Sequence, residues 1–174
     1  LGDVYKRQAV VNVEGTVTVT TLTNNYTVEV KSGTLNTAGS SSINTGNITV
    51  AKDATWVVDG TSFTNSGSTD SASAGLITNN GKITVNGAFT NAKTTAATAS
   101  KQVDAKIINN GQIACGANGT FTNNSTMEAN DGSTTLISVY AADAEIIITE
   151  NITAVNAPTN NGKITSVITD QNSL

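Results

Sequence analysis

The chain has 174 residues, enough for one domain with a continuous core, and its 37% hydrophobic and 13% charged residues exclude wholesale disorder. Thirteen acidic against nine basic residues give a net charge of −4, which argues against nucleic acid or an anionic membrane as a partner. The chain has no His and a single Cys, so it offers neither a Ser-His or Cys-His catalytic pair nor a zinc site, and we predict no cofactor or metal.

The composition within those limits predicts short strands. Thr, Asn, Gly, Ser and Ala dominate, whereas the chain has only three Phe, one Trp and one Pro. Thr, Val and Ile favour pleated strands, while Asn and Gly favour bends, so we expect many short strands joined by tight turns rather than helices. No apolar run approaches the roughly 20 residues that a membrane-spanning helix needs, and we expect no membrane insertion in this segment.

The opening residues 1–8 stand apart from the rest of the chain. Their sequence, Leu-Gly-Asp-Val-Tyr-Lys-Arg-Gln, resembles a translated sequencing-adapter peptide and contains Arg7, which is the only Arg. We interpret these residues as non-native and leave them out of the fold prediction. Residues 9–174 are then expected to form a single domain that is a fragment of a longer protein.

The first predicted strands lie within residues 11–30. The first run alternates apolar and polar side chains at Thr16, Val17, Thr18, Val19 and Thr20, and residues 26–30 alternate again after an Asn-Asn bend. This period predicts one or two coils of strand. A Thr-x-Thr row of this kind resembles ice-binding solenoids, but Lys82, Gln112 and Lys163 interrupt the outward face, so we set that function aside.

The strongest feature of the sequence is an internal repeat. The segment Asn-Asn-Gly-Lys-Ile-Thr-Val at residues 79–85 returns in similar form at residues 109–115 and 160–166, with a weaker copy at residues 44–50. Asn and Gly tolerate positive φ, so this element predicts a sharp bend with positive φ at Gly81 and Gly111. One such strand does not bury its apolar side alone, so the copies must stack as in a solenoid, with Asn side chains hydrogen-bonded along the stack.

The strand after each bend alternates apolar and polar side chains, which assigns its two faces. The core face is predicted to hold the repeated isoleucines and the residues two positions later, namely Ile48, Ile83, Ile113, Ile164, Val50, Val85 and Cys115. On the other face we expect Thr49, Thr84, Ala114 and Thr165, with Lys82 and Gln112 in solvent. Cys115 fills a position that is Val elsewhere, and no His activates its thiol, so we interpret it as a small buried hydrophobe.

A second marker, Phe-Thr-Asn, recurs at residues 63–65, 89–91 and 121–123. Ser-, Ala- and Thr-rich insertions follow the first two copies, at residues 66–75 and 92–106, whereas the third copy continues directly into a short bend and strand. Both insertions are therefore predicted to leave the stack at one corner, where repeat proteins often carry a binding surface. The apolar, β-branched segments 136–140 and 145–149 predict further strands.

The alternation of Gly-x-Phe-Thr-Asn, at residues 87–91 and 119–123, with Asn-Asn-Gly-x-Ile resembles the degenerate repeats of bacterial β-helical surface proteins. These include autotransporter passengers and filamentous-haemagglutinin-like adhesins, and the resemblance covers about residues 43–165. It implies an all-β, right-handed parallel β-helix, extracellular or at the cell surface. Such a protein acts as a structural or adhesin-like scaffold and binds a host or bacterial surface glycan or protein. The motifs specify the coil rather than the partner.

The alternative function is that of a carbohydrate-active β-helix enzyme, a polysaccharide lyase or glycosidase. A glycosidase requires two carboxylates on either side of a sugar. The candidate binding residues are Asp53 and Asp59, which flank Trp56, together with Glu128 and Asp131. Acidic residues in turns are usually only solvated, no Arg lies outside residues 1–8, and the apolar neighbours of Trp56 favour core packing over stacking on a sugar. We therefore predict no catalytic residues and a non-enzymatic scaffold.

Overall fold

The computed structural model describes residues 10–68, 74–94, 103–116 and 118–130, and the backbone of five further strands between residues 134 and 166. This part of the chain contains strands and no helix. The strands are β1 Val10–Val19, β2 Thr23–Asn24, β3 Thr27–Thr37, β4 Ser42–Asn44, β5 Asn47–Val50, β6 Ala54–Val58, β7 Phe63–Asn65, β8 Leu76–Asn79, β9 Lys82–Val85, β10 Ala88–Asn91, β11 Lys106–Asn109, β12 Gln112–Cys115, β13 Thr120–Asn123, β14 Thr126–Ala129, β15 Thr134–Leu136, β16 Val139–Tyr140, β17 Glu145–Ile148, β18 Ala154–Asn156 and β19 Lys163–Ser166.

The strands fall into three stacks, and from β2 to β18 the chain visits them in a fixed order. The first stack is β5-β8-β11-β14-β17-β19, the second is β6-β9-β12-β15-β18, and the third is β2-β4-β7-β10-β13-β16. The long strand β3 pairs with both β5 and β6, so the first two stacks form one 13-stranded sheet, while the third is a separate 6-stranded sheet. Every pairing between these strands is parallel, which confirms the prediction of an all-β chain of stacked parallel strands.

Alternate residues of each strand fill a single core between the stacks. Ile48, Ile83 and Ile113 are buried there, as are Val50 and Val85, with Cys115 half-buried against the same cluster. In contrast, Lys82 and Gln112 are exposed. The predicted assignment of core and solvent faces is therefore confirmed for these residues.

The predicted alignment of the repeat copies is wrong for residues 44–50 and 160–166. Ile48 lies in the first stack beside Ile77, and β19 carries Ile164 in the same stack. In contrast, Ile83 and Ile113 pair with each other in the second stack. A bend with a buried Asn precedes both the first and the second stack, so the two kinds of segment look alike in sequence. An Asn-based bend therefore does not show which of the two stacks the next strand joins.

Asparagine side chains hydrogen-bond along the stack, as the repeat predicted. Asn79 Nδ2 donates to Asn109 Oδ1 at 2.8 Å, inside the bend between the first and second stacks. A longer ladder, which we call the asparagine ladder, lies in the third stack and joins Asn24, Asn44, Asn65, Asn91 and Asn123 by amide–amide bonds of 2.7–2.9 Å. Because buried amides need partners, each coil fixes the register of the next.

Phenylalanine rings stack beside the asparagine ladder and are among the largest fully buried side chains of the described residues. Phe63, Phe89 and Phe121 occupy the same register position on three successive strands, which confirms that the Phe-Thr-Asn markers align. The ring centroids are 5.1 Å apart between Phe63 and Phe89 and 4.7 Å between Phe89 and Phe121. The edge of Trp56 closes this aromatic column, with its centroid 4.7 Å from that of Phe63.

The prediction of positive φ at Gly81 and Gly111 is wrong, since the described residues with positive φ are Gly33 and Ser41. The bends need glycine for a different reason, which is space. A Cβ atom on Gly111 would lie 2.1 Å from the carbonyl oxygen of Gly81, in the coil beneath it. Backbone atoms of adjacent coils thus approach too closely at this corner for any side chain.

We expect Gly111→Val to destabilise the fold by more than about 1 kcal/mol, because the new side chain must displace the backbone of the neighbouring coil. The matched control is Gly15→Ala, because a Cβ atom on Gly15 meets nothing within 4 Å. That control should leave stability unchanged or raise it by a few tenths of a kcal/mol. Urea midpoints of the two variants compare the effects, and equal midpoints would show that the close approach of the coils is not a constraint.

Candidate functional site

The corner between the third and first stacks is where the chain leaves its regular coil. Two residues separate β4 from β5 and β13 from β14, whereas the insertions separate β7 from β8 and β10 from β11. Ladder residues are 20 residues apart for a coil without an insertion, as from Asn24 to Asn44, and 32 apart from Asn91 to Asn123. Both long insertions therefore lie in the connection from the third stack to the first.

Both insertions begin and end at stacked positions. Asn65 and Asn91, after which they start, are partners in the third stack. Leu76 and Lys106, with which the next strands begin, are partners in the first stack. Both insertions therefore leave and rejoin the stack at a single corner, which we call the insertion corner.

The base of the first insertion is fixed by the asparagine ladder. Asn65 Nδ2 lies 3.1 Å from the carbonyl oxygen of Gly75 and 3.2 Å from that of Lys106, as well as 2.9 Å from Asn91 Oδ1. The backbone N–H of Gly75 donates to the carbonyl of Ser66 at 2.8 Å, which closes the loop at its foot. These contacts use backbone atoms and side chains of the asparagine ladder. The fold therefore constrains the residues where the loop begins and ends, but not the sequence between them.

The two insertions are also joined directly to each other. Ser68 and Val103 form an antiparallel bridge, in which Ser68 N donates to Val103 O at 2.8 Å and Val103 N donates to Ser68 O at 3.1 Å. Within the second insertion, Thr94 Oγ1 donates to Val103 O at 2.8 Å and the Thr94 backbone N–H donates to Asp104 Oδ1 at 2.9 Å. The same Oγ1 lies 3.5 Å from the carbonyl oxygen of Ser68 in the first insertion. Residues 69–73 and 95–102 of the insertions lie outside the described residues.

The described part of the insertion corner offers both apolar and polar contacts. Val103 exposes 41% of its surface, and Lys93 and Asp104 are exposed beside it. The described part of this corner therefore presents one exposed aliphatic side chain together with one cationic and one anionic side chain. Sequence reasoning located this corner but missed Thr94, Val103 and Asp104 as its contacts, since a backbone bridge between two loops leaves no pattern in the sequence.

The predicted candidate Trp56 lies inside the core and is fully buried. Its Nε1 donates to Thr37 Oγ1 at 3.3 Å, and its ring packs against Phe63 and Phe89. The ring therefore presents no face to a sugar, and the expected core packing of Trp56 is what the structure has.

The candidate carboxylates lie on different stacks. Asp53 and Asp59 are exposed at the two ends of β6 in the second stack, where Asp59 Oδ1 accepts a hydrogen bond from Asn86 Nδ2 at 2.8 Å. Glu128 lies in the first stack and forms an ion pair of 2.5 Å with Lys106. Asp131 lies outside the described residues. The structure thus does not bring Glu128 together with the pair that flanks Trp56.

The described residues contain no group of three or more His, Cys, Asp or Glu side chains placed to hold a metal ion. Over the same residues, no helix is long and apolar enough to cross a membrane. In comparisons with known proteins, no family model, no curated protein and no solved structure matches the chain.

Proposed function

We propose that the chain is a β-solenoid, specifically a right-handed parallel β-helix, that works outside the cell or at its surface as an adhesin-like scaffold. In this proposal the insertion corner binds a glycan or a protein. The observation that carries it is the bridge between Ser68 and Val103, which joins two separate insertions into one surface. Solenoids commonly present their ligands with such a surface on one side of the stack.

The solenoid part of the proposal rests on the order of the strands. Each circuit of the chain adds one strand to the first, second and third stacks in turn, from β5, β6 and β7 to β14, β15 and β16. Each new strand aligns with its predecessor residue for residue, as Phe121 does with Phe89. A chain that winds in one direction around a single core produces this pattern, because parallel neighbours require a crossover between successive strands.

The binding part of the proposal rests on two connections between strands that are longer than the fold requires. Three described connections from the third stack to the first, after Asn24, Asn44 and Asn123, have two residues, so the longer connections after Asn65 and Asn91 are not needed to close a coil. The two backbone hydrogen bonds between Ser68 and Val103 nevertheless hold these longer connections together. Binding residues are often carried on loops that a rigid scaffold positions, and these contacts fix the two loops relative to each other.

The alternative function, a polysaccharide lyase or glycosidase, has less support among the described residues. A pair of catalytic carboxylates must face one sugar at a separation of about 5–9 Å. Asp53 and Asp59 lie at opposite ends of β6, and Glu128 is already paired with Lys106 on another stack. We therefore retain the scaffold as the proposed function.

The test is a trimmed variant in which residues 66–75 and 92–105 are each replaced by the Asn-Ser connection of residues 124–125. We expect a cooperative, β-rich fold, because closing a shorter loop lowers the entropic cost, and loss of binding to mucin, cells or a glycan array. The control variant carries Lys82→Ala and Gln112→Ala, which change exposed side chains of the second stack. Binding that survives in the trimmed variant would refute the proposal, and loss of binding in the control would place the binding surface on the second stack.

A further inference from the structure

Four Asn-Gly dipeptides lie in the described bends, and the two residues of such a dipeptide can react with each other. The backbone nitrogen of the glycine attacks the side-chain amide carbon of the asparagine, its proton passes to the leaving group, and ammonia departs from a cyclic imide. Water then opens the imide to aspartate or isoaspartate. Glycine favours the reaction because it has no Cβ atom to obstruct ring closure. The asparagines concerned are Asn80, Asn86, Asn110 and Asn118.

At Asn80 and Asn110, hydrogen bonds hold both groups that would react. The two side chains belong to one row, in which Asn110 Nδ2 donates to Asn80 Oδ1 at 2.8 Å. The N–H of the following glycine donates to the buried asparagine of the same bend, as Gly81 N does to Asn79 Oδ1 at 3.2 Å, and residues 109–111 repeat this contact. Cyclisation at either site must first break bonds to the attacking nitrogen and to the side-chain amide.

Asn86 is exposed, but the preceding coil holds it. Its Nδ2 donates to Asp59 Oδ1 at 2.8 Å, and the N–H of Gly87 donates to the carbonyl oxygen of Val58 at 2.9 Å. The amide that would leave as ammonia and the nitrogen that would attack are therefore both bonded to a neighbouring coil. A reaction here requires two coils to separate locally.

Asn118 differs from these three asparagines. Its side chain is exposed and has no hydrogen-bond partner in the part of the chain that the structure describes. The N–H of Gly119 donates at 3.0 Å to the carbonyl oxygen of Gly116, which lies in the same turn rather than in another coil. A bond within one turn opens without separating the coils, so it restrains the attacking nitrogen less than the bond between Gly87 and Val58 does.

We propose that Asn118 is a modification site of the folded chain, where deamidation produces aspartate or isoaspartate, and that hydrogen bonds protect the other three asparagines. The product adds a negative charge to the corner between β12 and β13, which join the second stack to the third. Isoaspartate also lengthens the backbone beside Gly119, where the carbonyl oxygen of Val85 already leaves no room for a Cβ atom. The inference is independent of what the insertion corner binds.

The first test follows the folded chain by peptide mass spectrometry during incubation at mildly alkaline pH, with fragmentation that distinguishes aspartate from isoaspartate. We expect deamidation at Asn118 to be about tenfold faster than at each of the other three sites, since one more hydrogen bond to open accounts for roughly that factor. In concentrated urea the four sites should react at similar rates, because each is an Asn-Gly dipeptide without its folded contacts. Equal rates in the folded chain, or a faster reaction at one of the other three sites, would overturn the proposal.

The second test removes protection from another site and leaves Asn118 unchanged. Asp59→Ala deletes the carboxylate that accepts the hydrogen bond from Asn86 Nδ2, so we expect deamidation at Asn86 to accelerate several-fold. The rate at Asn118 should stay the same. The matched control is Asp53→Ala, which removes an exposed carboxylate at the other end of β6 and should change neither rate. An unchanged rate at Asn86, or equal acceleration by both substitutions, would show that hydrogen bonds do not rank these sites and would contradict the proposal.

Discussion

Replacing Phe89 by Ala should lower the free energy of unfolding by about 3–5 kcal/mol, the usual cost of removing a buried aromatic side chain. Phe89 is the central ring of the aromatic column, 5.1 Å from Phe63 and 4.7 Å from Phe121, and it also meets the edge of Trp56 at 5.9 Å. The change therefore removes three ring contacts and leaves a cavity in the middle of the stack. Urea unfolding, followed by the fluorescence of the single Trp, measures the effect.

The matched control for this prediction is Phe89→Leu. Leucine retains most of the apolar volume and loses only the ring contacts, so we expect a smaller loss, about 1–2 kcal/mol. If Phe89→Ala unfolded at the same urea concentration as the unchanged protein, the aromatic column would not be the main core of the third stack.

Replacing Asn91 by Ala should cost about 2–4 kcal/mol, because it breaks the asparagine ladder in the interior. Asn91 Oδ1 accepts a hydrogen bond from Asn65 at 2.9 Å, and its Nδ2 donates to Asn123 Oδ1 at 2.8 Å and to the Thr126 carbonyl at 3.1 Å. Asn65 and Asn123 are fully buried, so the partners that lose Asn91 gain no water in exchange. Chemical denaturation measures the loss.

Two further variants separate the ladder from packing alone. Asn91→Asp keeps the shape of the side chain but removes its donor and buries a carboxyl group, so we expect a loss at least as large as for Asn91→Ala. Asn110 belongs to an exposed row and is bonded to Asn80 at 2.8 Å, so Asn110→Ala should cost less than about 1 kcal/mol. Equal effects at Asn91 and Asn110 would contradict the role assigned to the buried ladder.

The parts of the fold that were predictable from the sequence are those with a repeating physical cause. Alternation of apolar and polar residues placed Ile83 and Ile113 in the core and Lys82 in solvent, because side chains on a strand alternate between faces. The recurrence of Phe-Thr-Asn placed Phe63, Phe89 and Phe121 in register, because stacked coils repeat their contacts.

The failures come from corners that look alike in sequence. Residues 44–50 were aligned with residues 79–85, but the structure places Asn44 at a different corner from Asn79, although both are buried amides at a bend. Likewise, Gly111 has an ordinary φ and is required by the carbonyl of Gly81 in the next coil. Which corner a bend forms, and how closely two coils approach there, depends on contacts between distant residues.

For the candidate site, the sequence revealed the location but not the contacts. The insertions interrupt the sequence repeat, and the point of interruption identifies the connection between strands that contains them. The hydrogen bonds between Ser68 and Val103 use backbone atoms, which every residue has, so no choice of side chain signals them. The burial of Trp56 was predictable, since its apolar neighbours Val57 and Val58 favoured core packing over an exposed position.

A disulfide between positions 68 and 103 tests most directly whether the two insertions form one surface. In an antiparallel pair that exchanges two hydrogen bonds, as Ser68 and Val103 do, the Cα atoms lie about 5.5 Å apart, which suits a disulfide. In a Cys115→Ala background, Ser68→Cys/Val103→Cys should form an intramolecular disulfide under mild oxidation, detected by non-reducing peptide mapping. The control Ser68→Cys/Lys82→Cys, with its second thiol on another stack, should remain reduced. Failure of the 68–103 pair to form a bond, or equal bond formation in the control, would contradict a joined insertion corner.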